Sequence, residues 1–86
     1  MAKNQLRDAV ASNVVRILRD ERKKRDLSMN QVAERSGLSQ GMISLVERDL
    51  RNPTLDTLLR IADAIEVDLS SVLVQASKEA RSKLKR

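Results

Sequence analysis

The sequence predicts an all-α fold of five helices in a single domain spanning 1–86, and three observations carry that prediction. The chain holds only two glycines and one proline, which leaves little material for long loops or β-turns. No segment alternates apolar and polar residues with a period of two. Apolar residues instead recur at three- and four-residue steps among strong helix formers. At 86 residues the core must be modest, because a small chain buries a smaller share of its surface.

The first helix is expected from about Asn4 to Arg25, with Leu6, Val10, Val14, Ile17 and Leu18 forming one apolar stripe. It closes on Arg22-Lys23-Lys24-Arg25, cations suited to the negative end of a helix dipole. The spacing leaves open whether residues 2–12 fold over the body or project from it. Ser28 reads as the N-cap of a short second helix, with Gln31 as its capping-box partner and Val32 and Ala33 facing inward. Gly37 stops that helix, since glycine takes a positive φ without steric cost.

Only Leu38 separates Gly37 from the next N-cap, Ser39. A third helix is expected over about Gln40–Arg48, with Ile43 and Val46 inward. Asn52-Pro53-Thr54 breaks the chain, and Thr54 caps a fourth helix carrying Leu55, Leu58, Leu59, Ile61, Ala62 and Ile65. Asp68 or Ser70 opens a fifth, whose stripe is Leu69, Val72, Leu73, Ala76 and Ala80; the basic residues after it are expected to fray. Two short helices joined at Gly37 by so tight a turn must cross steeply, which is a helix-turn-helix arrangement.

Composition removes several classes of function. His and Cys are absent, so a zinc finger, a thiol nucleophile and a histidine base are all excluded. Phe, Trp and Tyr are absent too, which removes aromatic stacking on bases. No Gly-rich phosphate cradle or metal cluster appears, and neither an enzyme nor a cofactor is expected. No apolar run is long enough to span a membrane, and no secretory signal is recognised; a reducing cytoplasm is the expected setting. The formal charge of +5 is unevenly spread: residues 1–26 and 78–86 are each net basic, while 27–77 is net acidic. Basic ends fit a polyanionic partner.

Residues 29–48, MNQVAERSGLSQGMISLVER, resemble the helix-turn-helix of the Cro/repressor type found in the XRE-like, lambda-repressor-like transcriptional regulators. Ala33 matches the family's small residue, Gly37 its turn glycine, and Val32, Leu38, Ile43 and Val46 its apolar positions. Glu47-Arg48, Asn52-Pro53-Thr54 and LLRIADAIEV continue the likeness, which covers roughly residues 14–73. The resemblance implies a five-helix DNA-binding domain, here with extended first and last helices. It implies a homodimeric regulator of transcription, bacterial or phage-borne and associated with the nucleoid. The third helix would lie in the major groove of double-stranded DNA.

On that resemblance Gln40, Gly41, Ser44 and Leu45 are expected to face the bases. Gln40 can pair with adenine N6 and N7, and Leu45 can touch a thymine methyl. Gly41 has two readings: it admits close approach to base edges, or it packs against the second helix. Phosphate contacts are expected from Ser28, Met29, Asn30, Ser39, Arg48, Arg51 and Asn52, which cluster at the short helices' ends. Arg22 matches the family arginine that meets the glutamate corresponding to Glu47.

Three positions depart from the family. Met29 stands where glutamine usually braces the recognition glutamine, Asp49 where glycine is common, and Ser36 where the residue is commonly apolar. The stripe Leu69, Val72, Leu73, Ala76 and Ala80, within the helix expected over 69–84, is the candidate dimer surface; the alternative is that this face packs under the fourth helix, as Leu69 and Leu73 are expected to, with Ala76, Ala80 and Leu84 left for the interface. No small-molecule ligand is expected. The competing reading is a protein-interaction module, such as the antitoxin of a toxin–antitoxin pair; a controller of a restriction–modification operon is a special case of the regulator. The short basic stretch after the fifth helix favours the regulator.

Overall fold

In the computed structural model, which describes residues 2–84, the first helix, α1, runs unbroken over Ala2–Lys24. Four more follow: α2 at Met29–Ser36, α3 at Gln40–Glu47, α4 at Leu55–Ala64 and α5 at Leu69–Leu84. The expected fraying falls on residues 85 and 86, outside the described residues.

Each central helix starts on a local capping bond. The Ser28 Oγ accepts from the Gln31 N–H at 3.1 Å, and the Gln31 Oε1 accepts from the Ser28 N–H at 2.8 Å, a complete capping box. The Ser39 Oγ takes the Met42 N–H at 3.0 Å, and the Thr54 Oγ1 takes the Thr57 N–H at 3.1 Å. Gly37 ends α2 at φ +76°.

Three other helix ends reach the same left-handed backbone without glycine. Asp26, Asp49 and Glu66 have φ of 58°, 58° and 60°. After α1, the Asp26 N–H bonds the Lys23 carbonyl and the Leu27 N–H the Arg22 carbonyl. Asp49 and Leu50 repeat this pattern after α3, and Glu66 and Val67 after α4. Each is a Schellman ending, in which an apolar residue follows the left-handed one. Asp49 therefore does the work of the glycine common in the family, and the Ser12 hydroxyl ties its carboxylate to α1 at 2.7 Å.

The core gathers Val14, Val15, Ile17 and Leu18 of α1 with Val32, Ile43, Val46, Ile61 and Ile65. Burying side chains of this size contributes roughly 1.5–3 kcal/mol each. Ser36, at the usually apolar position, is buried but satisfied. Its Oγ donates to the Ala33 carbonyl at 3.3 Å and accepts from the Leu38 N–H at 3.2 Å.

The packing of α5 corrects one expectation. Leu69, Val72, Ala76 and Ala80 are 6%, 5%, 0% and 1% exposed within the single chain, so none of the four is free to meet a second copy. The reason is the length of α1, whose N-terminal half lies along α5 instead of projecting. The Asn13 side chain donates to the Ala76 carbonyl at 3.1 Å, and Arg16 pairs with Glu79. Of the stripe, only Leu73 stays open, at 39% exposure. The two helices run antiparallel: Arg25 and Asp68 line one hollow, Arg7 and Arg81 another.

Candidate nucleic-acid interface

The helix-turn-helix is held from two sides, by α1 and by α4. The guanidinium of Arg22 donates from Nε to Glu47 Oε2 at 2.6 Å and from NH2 to Glu47 Oε1 at 2.9 Å. Its third nitrogen, NH1, donates to the Leu27 carbonyl at 2.7 Å. Both side chains are mostly buried, at 12% and 13% exposure, so the fork fixes α1 to the C-terminal end of α3.

Two further arginines, neither singled out from the sequence, hold α2 to α4. Arg60 NH1 donates to the Ser36 carbonyl at 3.2 Å, while its Nε pairs with Asp56 at 2.8 Å. That bond to the Asp56 carboxylate raises the Arg60 pKa above its ordinary value. Arg35 NH1 donates to the Ala64 carbonyl at 3.3 Å. Their only sequence signal is the i, i+4 spacing of Asp56 and Arg60.

With Ile43 and Val46 fully inward, helical geometry turns the opposite side of α3 outward. Gln40, Gly41 and Arg48 are exposed there, and Ser44 and Leu45 are half-buried beside them. Among the described residues no hydrogen bond within the chain engages the Gln40 amide or the Arg48 guanidinium. Met29, half-buried against the core, offers Gln40 no polar brace.

Gly41 does not pack against α2. A Cβ placed there would meet only the Ser39 Oγ, at 3.9 Å, an ordinary contact.

The residues expected at phosphates lie at the ends of the short helices. Asn30 and Ser28 stand at the start of α2, Ser39 at the start of α3, and Arg51 and Asn52 in the link to α4; all are exposed. Ser28 and Ser39 use one oxygen lone pair as caps, which leaves each hydroxyl proton available to donate. Around the α3 C-terminus a second basic group, Arg16, Arg19 and Lys83, shares a shallow hollow with Arg48 and Glu47. The Arg19 Nε is buried there without a hydrogen-bond partner among the described residues.

A helix-turn-helix family model matches residues 18–72. An uncharacterized HTH-type transcriptional regulator of Mycobacterium tuberculosis is 44% identical over 59 residues, which cover 69% of this chain and 42% of that protein. The chain therefore matches less than half the length of this relative. The control protein C.SmaI of Serratia marcescens is 37% identical over 70 residues, 81% of this chain and 79% of its own. Among solved structures, a variant of the restriction–modification controller protein C.Esp1396I superposes with a TM-score of 0.76 at 26% identity, covering 85% of this chain and 95% of that one.

Proposed function

The chain belongs to the helix-turn-helix family of DNA-binding transcriptional regulators, and from that membership we propose that it binds a palindromic operator as a homodimer, with α3 in the major groove. The observation that carries this reading is the outward face of α3. It presents a glutamine amide and an arginine with no hydrogen-bond partner among the described residues, beside a glycine whose missing side chain serves no internal packing. Buried bracing keeps the helix rigid while leaving that face open.

In this reading Gln40 pairs with an adenine edge, Ser44 donates or accepts at a neighbouring base, and Leu45 meets a thymine methyl. Gly41 lets the backbone come close to the base edges. Arg48, Arg51, Asn52 and Asn30, the hydroxyls of Ser28 and Ser39, and the backbone N–H at Met29 hold the flanking phosphates.

The solved controller and the control protein C.SmaI match this chain over 95% and 79% of their own lengths, which favours a controller-like role within the same class. Selection from a random double-stranded DNA pool tests the proposal. The bound fraction is expected to carry an inverted repeat with half-sites about 10 bp apart, centre to centre. With roughly 6–10 phosphate contacts per dimer, affinity should fall about 10³–10⁵-fold between 50 and 200 mM salt. If no sequence is enriched and no DNA is retarded at low ionic strength, the proposal is wrong.

A further inference from the structure

Residues 1–26 and 78–86 are each net basic, and none of the phosphate contacts proposed for the short helices and the link to α4 draws on either. The fold brings the two stretches together. A shallow hollow beside the C-terminal end of α3 is lined by Arg16 and Arg19 from α1, Arg48 from the end of α3, and Lys83 from the last turn of α5. Arg48 borders the outward face of α3, so the hollow continues that face around the end of the helix.

Three of these cations are weakly engaged. Lys83 and Arg48 are exposed and, among the described residues, form no hydrogen bond or ion pair. The Arg19 NH1 reaches the Glu47 carbonyl at 3.5 Å, the limit of a hydrogen bond, and its Nε is buried with no hydrogen-bond partner among the described residues. A guanidinium carries five N–H donors, so capping one carbonyl at the end of α3 leaves most of them unspent. A donor held out of water without an acceptor is costly, and an acceptor arriving from outside removes that cost. The acids nearby are already committed: Glu47 to Arg22, Asp49 to the Ser12 hydroxyl and Glu79 to Arg16. Asp20, 54% exposed, stands 3.7 Å from Arg16 and 3.8 Å from Arg19, pairs too long and too wet to neutralise either.

Cations from three separate elements around a shallow hollow suit an anion with several exposed oxygens, presented by a rigid partner. A backbone phosphate of a duplex has that form, and guanidinium and ammonium groups both bind it. We infer that this hollow seats one backbone phosphate of double-stranded DNA in each half-site, held by Arg19 and Lys83 together with Arg48. The inference rests on the operator-binding reading and extends it from the helix-turn-helix to the body of α1 and the end of α5. Arg16 and Glu79 stand about one turn before Arg19 and Lys83 on the same helix faces, so their ion pair sets the span across which the two cations meet.

Ethylation of single phosphates in the selected operator, together with affinity read at several salt concentrations, tests the site. Lys83→Ala and Arg19→Ala should each weaken binding to every sequence alike and reduce the slope of log affinity against log salt by about two, one for each protomer. Ethylation of one phosphate per half-site should interfere with the unaltered chain, and that interference should weaken at the same position in both variants. Arg19→Lys, which keeps the charge, should restore most of the slope. Lys78→Ala removes an equal charge from an exposed position of α5 outside the hollow and should change neither reading. If Arg19→Ala fails to fold, Lys83→Ala decides alone, because that exposed side chain holds no other element in place. An unchanged slope, interference altered at different positions in the two variants, or an equal effect of Lys78→Ala would each overturn the site and leave the operator reading intact. An unaltered chain that retards no DNA overturns both.

Discussion

Arg22 grips both carboxylate oxygens of Glu47, at 2.6 and 2.9 Å, and still reaches the Leu27 carbonyl with its remaining nitrogen. One guanidinium therefore fixes the base of α3, the end of α1 and the start of the turn into α2. An exposed ion pair contributes little, but this one is largely desolvated and forked.

Glu47→Ala leaves Arg22 charged and half-paired in a mostly buried place. The expected loss is about 2–3 kcal/mol, read as a lower urea midpoint by circular dichroism. Arg22→Lys, which keeps the charge but not the fork, should recover only a minor part. An unchanged midpoint for Glu47→Ala would show that the pair carries no stability.

Gly41→Ala should separate folding from binding. The added methyl makes only an ordinary contact with the Ser39 Oγ, at 3.9 Å, and alanine is the better helix former, so stability should hold or rise by up to about 1 kcal/mol. Operator affinity should fall on the order of tenfold, about 1.4 kcal/mol, because the methyl stands where the backbone is proposed to approach the bases. Unchanged affinity would count against that approach.

Gln40→Ala and Arg51→Ala should fail differently. Loss of the amide is expected to cost about 1–3 kcal/mol and to relax preference at one base pair per half-site. Loss of the Arg51 charge should weaken all sequences alike and flatten the salt dependence. Binding measured against a set of single-base operator variants distinguishes the two patterns; a uniform loss for Gln40→Ala would remove its reading role.

Glu66→Gly should stabilise the chain by about 0.5–1 kcal/mol. Glu66 sits at φ 60°, a conformation that strains any residue with a Cβ and that glycine adopts freely. Its side chain is exposed and forms no hydrogen bond or ion pair among the described residues that the change would remove. A fall in thermal midpoint would refute the strain argument.

Asp68 stands just before α5 and accepts hydrogen bonds from the hydroxyls of Ser70, at 2.7 Å, and Ser71, at 3.1 Å. These bonds, Ser70 first, hold its carboxyl below the ordinary value of 3.8. A depressed folded-state pKa gives stability that is present above the unfolded value and is lost as pH falls through the folded one. Asp68→Asn should therefore lower the urea midpoint at pH 7, and the difference should shrink progressively as pH falls from the ordinary carboxylate value through the lower folded-state one. A difference that did not change with pH would assign the effect to something other than the carboxylate.

What was legible in the sequence followed the range of the interaction responsible. The starts of α2, α3 and α4 could be read because Ser28, Ser39 and Thr54 cap within three residues of themselves. The turn at Gly37 could be read because glycine marks a positive φ. The end of α1 could be placed to within a residue from its run of basic side chains, but the left-handed turns at Asp26 after α1 and Glu66 after α4 could not, since no glycine marks them. The acid-then-apolar pairs Asp26-Leu27, Asp49-Leu50 and Glu66-Val67 are the signal that was there to find.

The face of α5 was misread for a related reason. A stripe at helical spacing says that one side is buried, not what buries it. Whether Ala76 meets a second copy or α1 depends on where residues 2–12 lie, and nothing local decides that. The arginines that clamp α2 to α4 were missed likewise, because their acceptors are carbonyls distant in sequence.

The clasp between α1 and α5 also bears on how the chain is made. At roughly 5–20 residues per second, the ribosome needs on the order of several seconds to pass from Leu18 to Ala76. Helices form in microseconds, so throughout that interval the oily side of α1 waits without its lid. Newborn chains should consequently be clients for holding chaperones until the last helix emerges, and nonsense mutations anywhere before Val72 should yield fragments that are degraded rather than partly active.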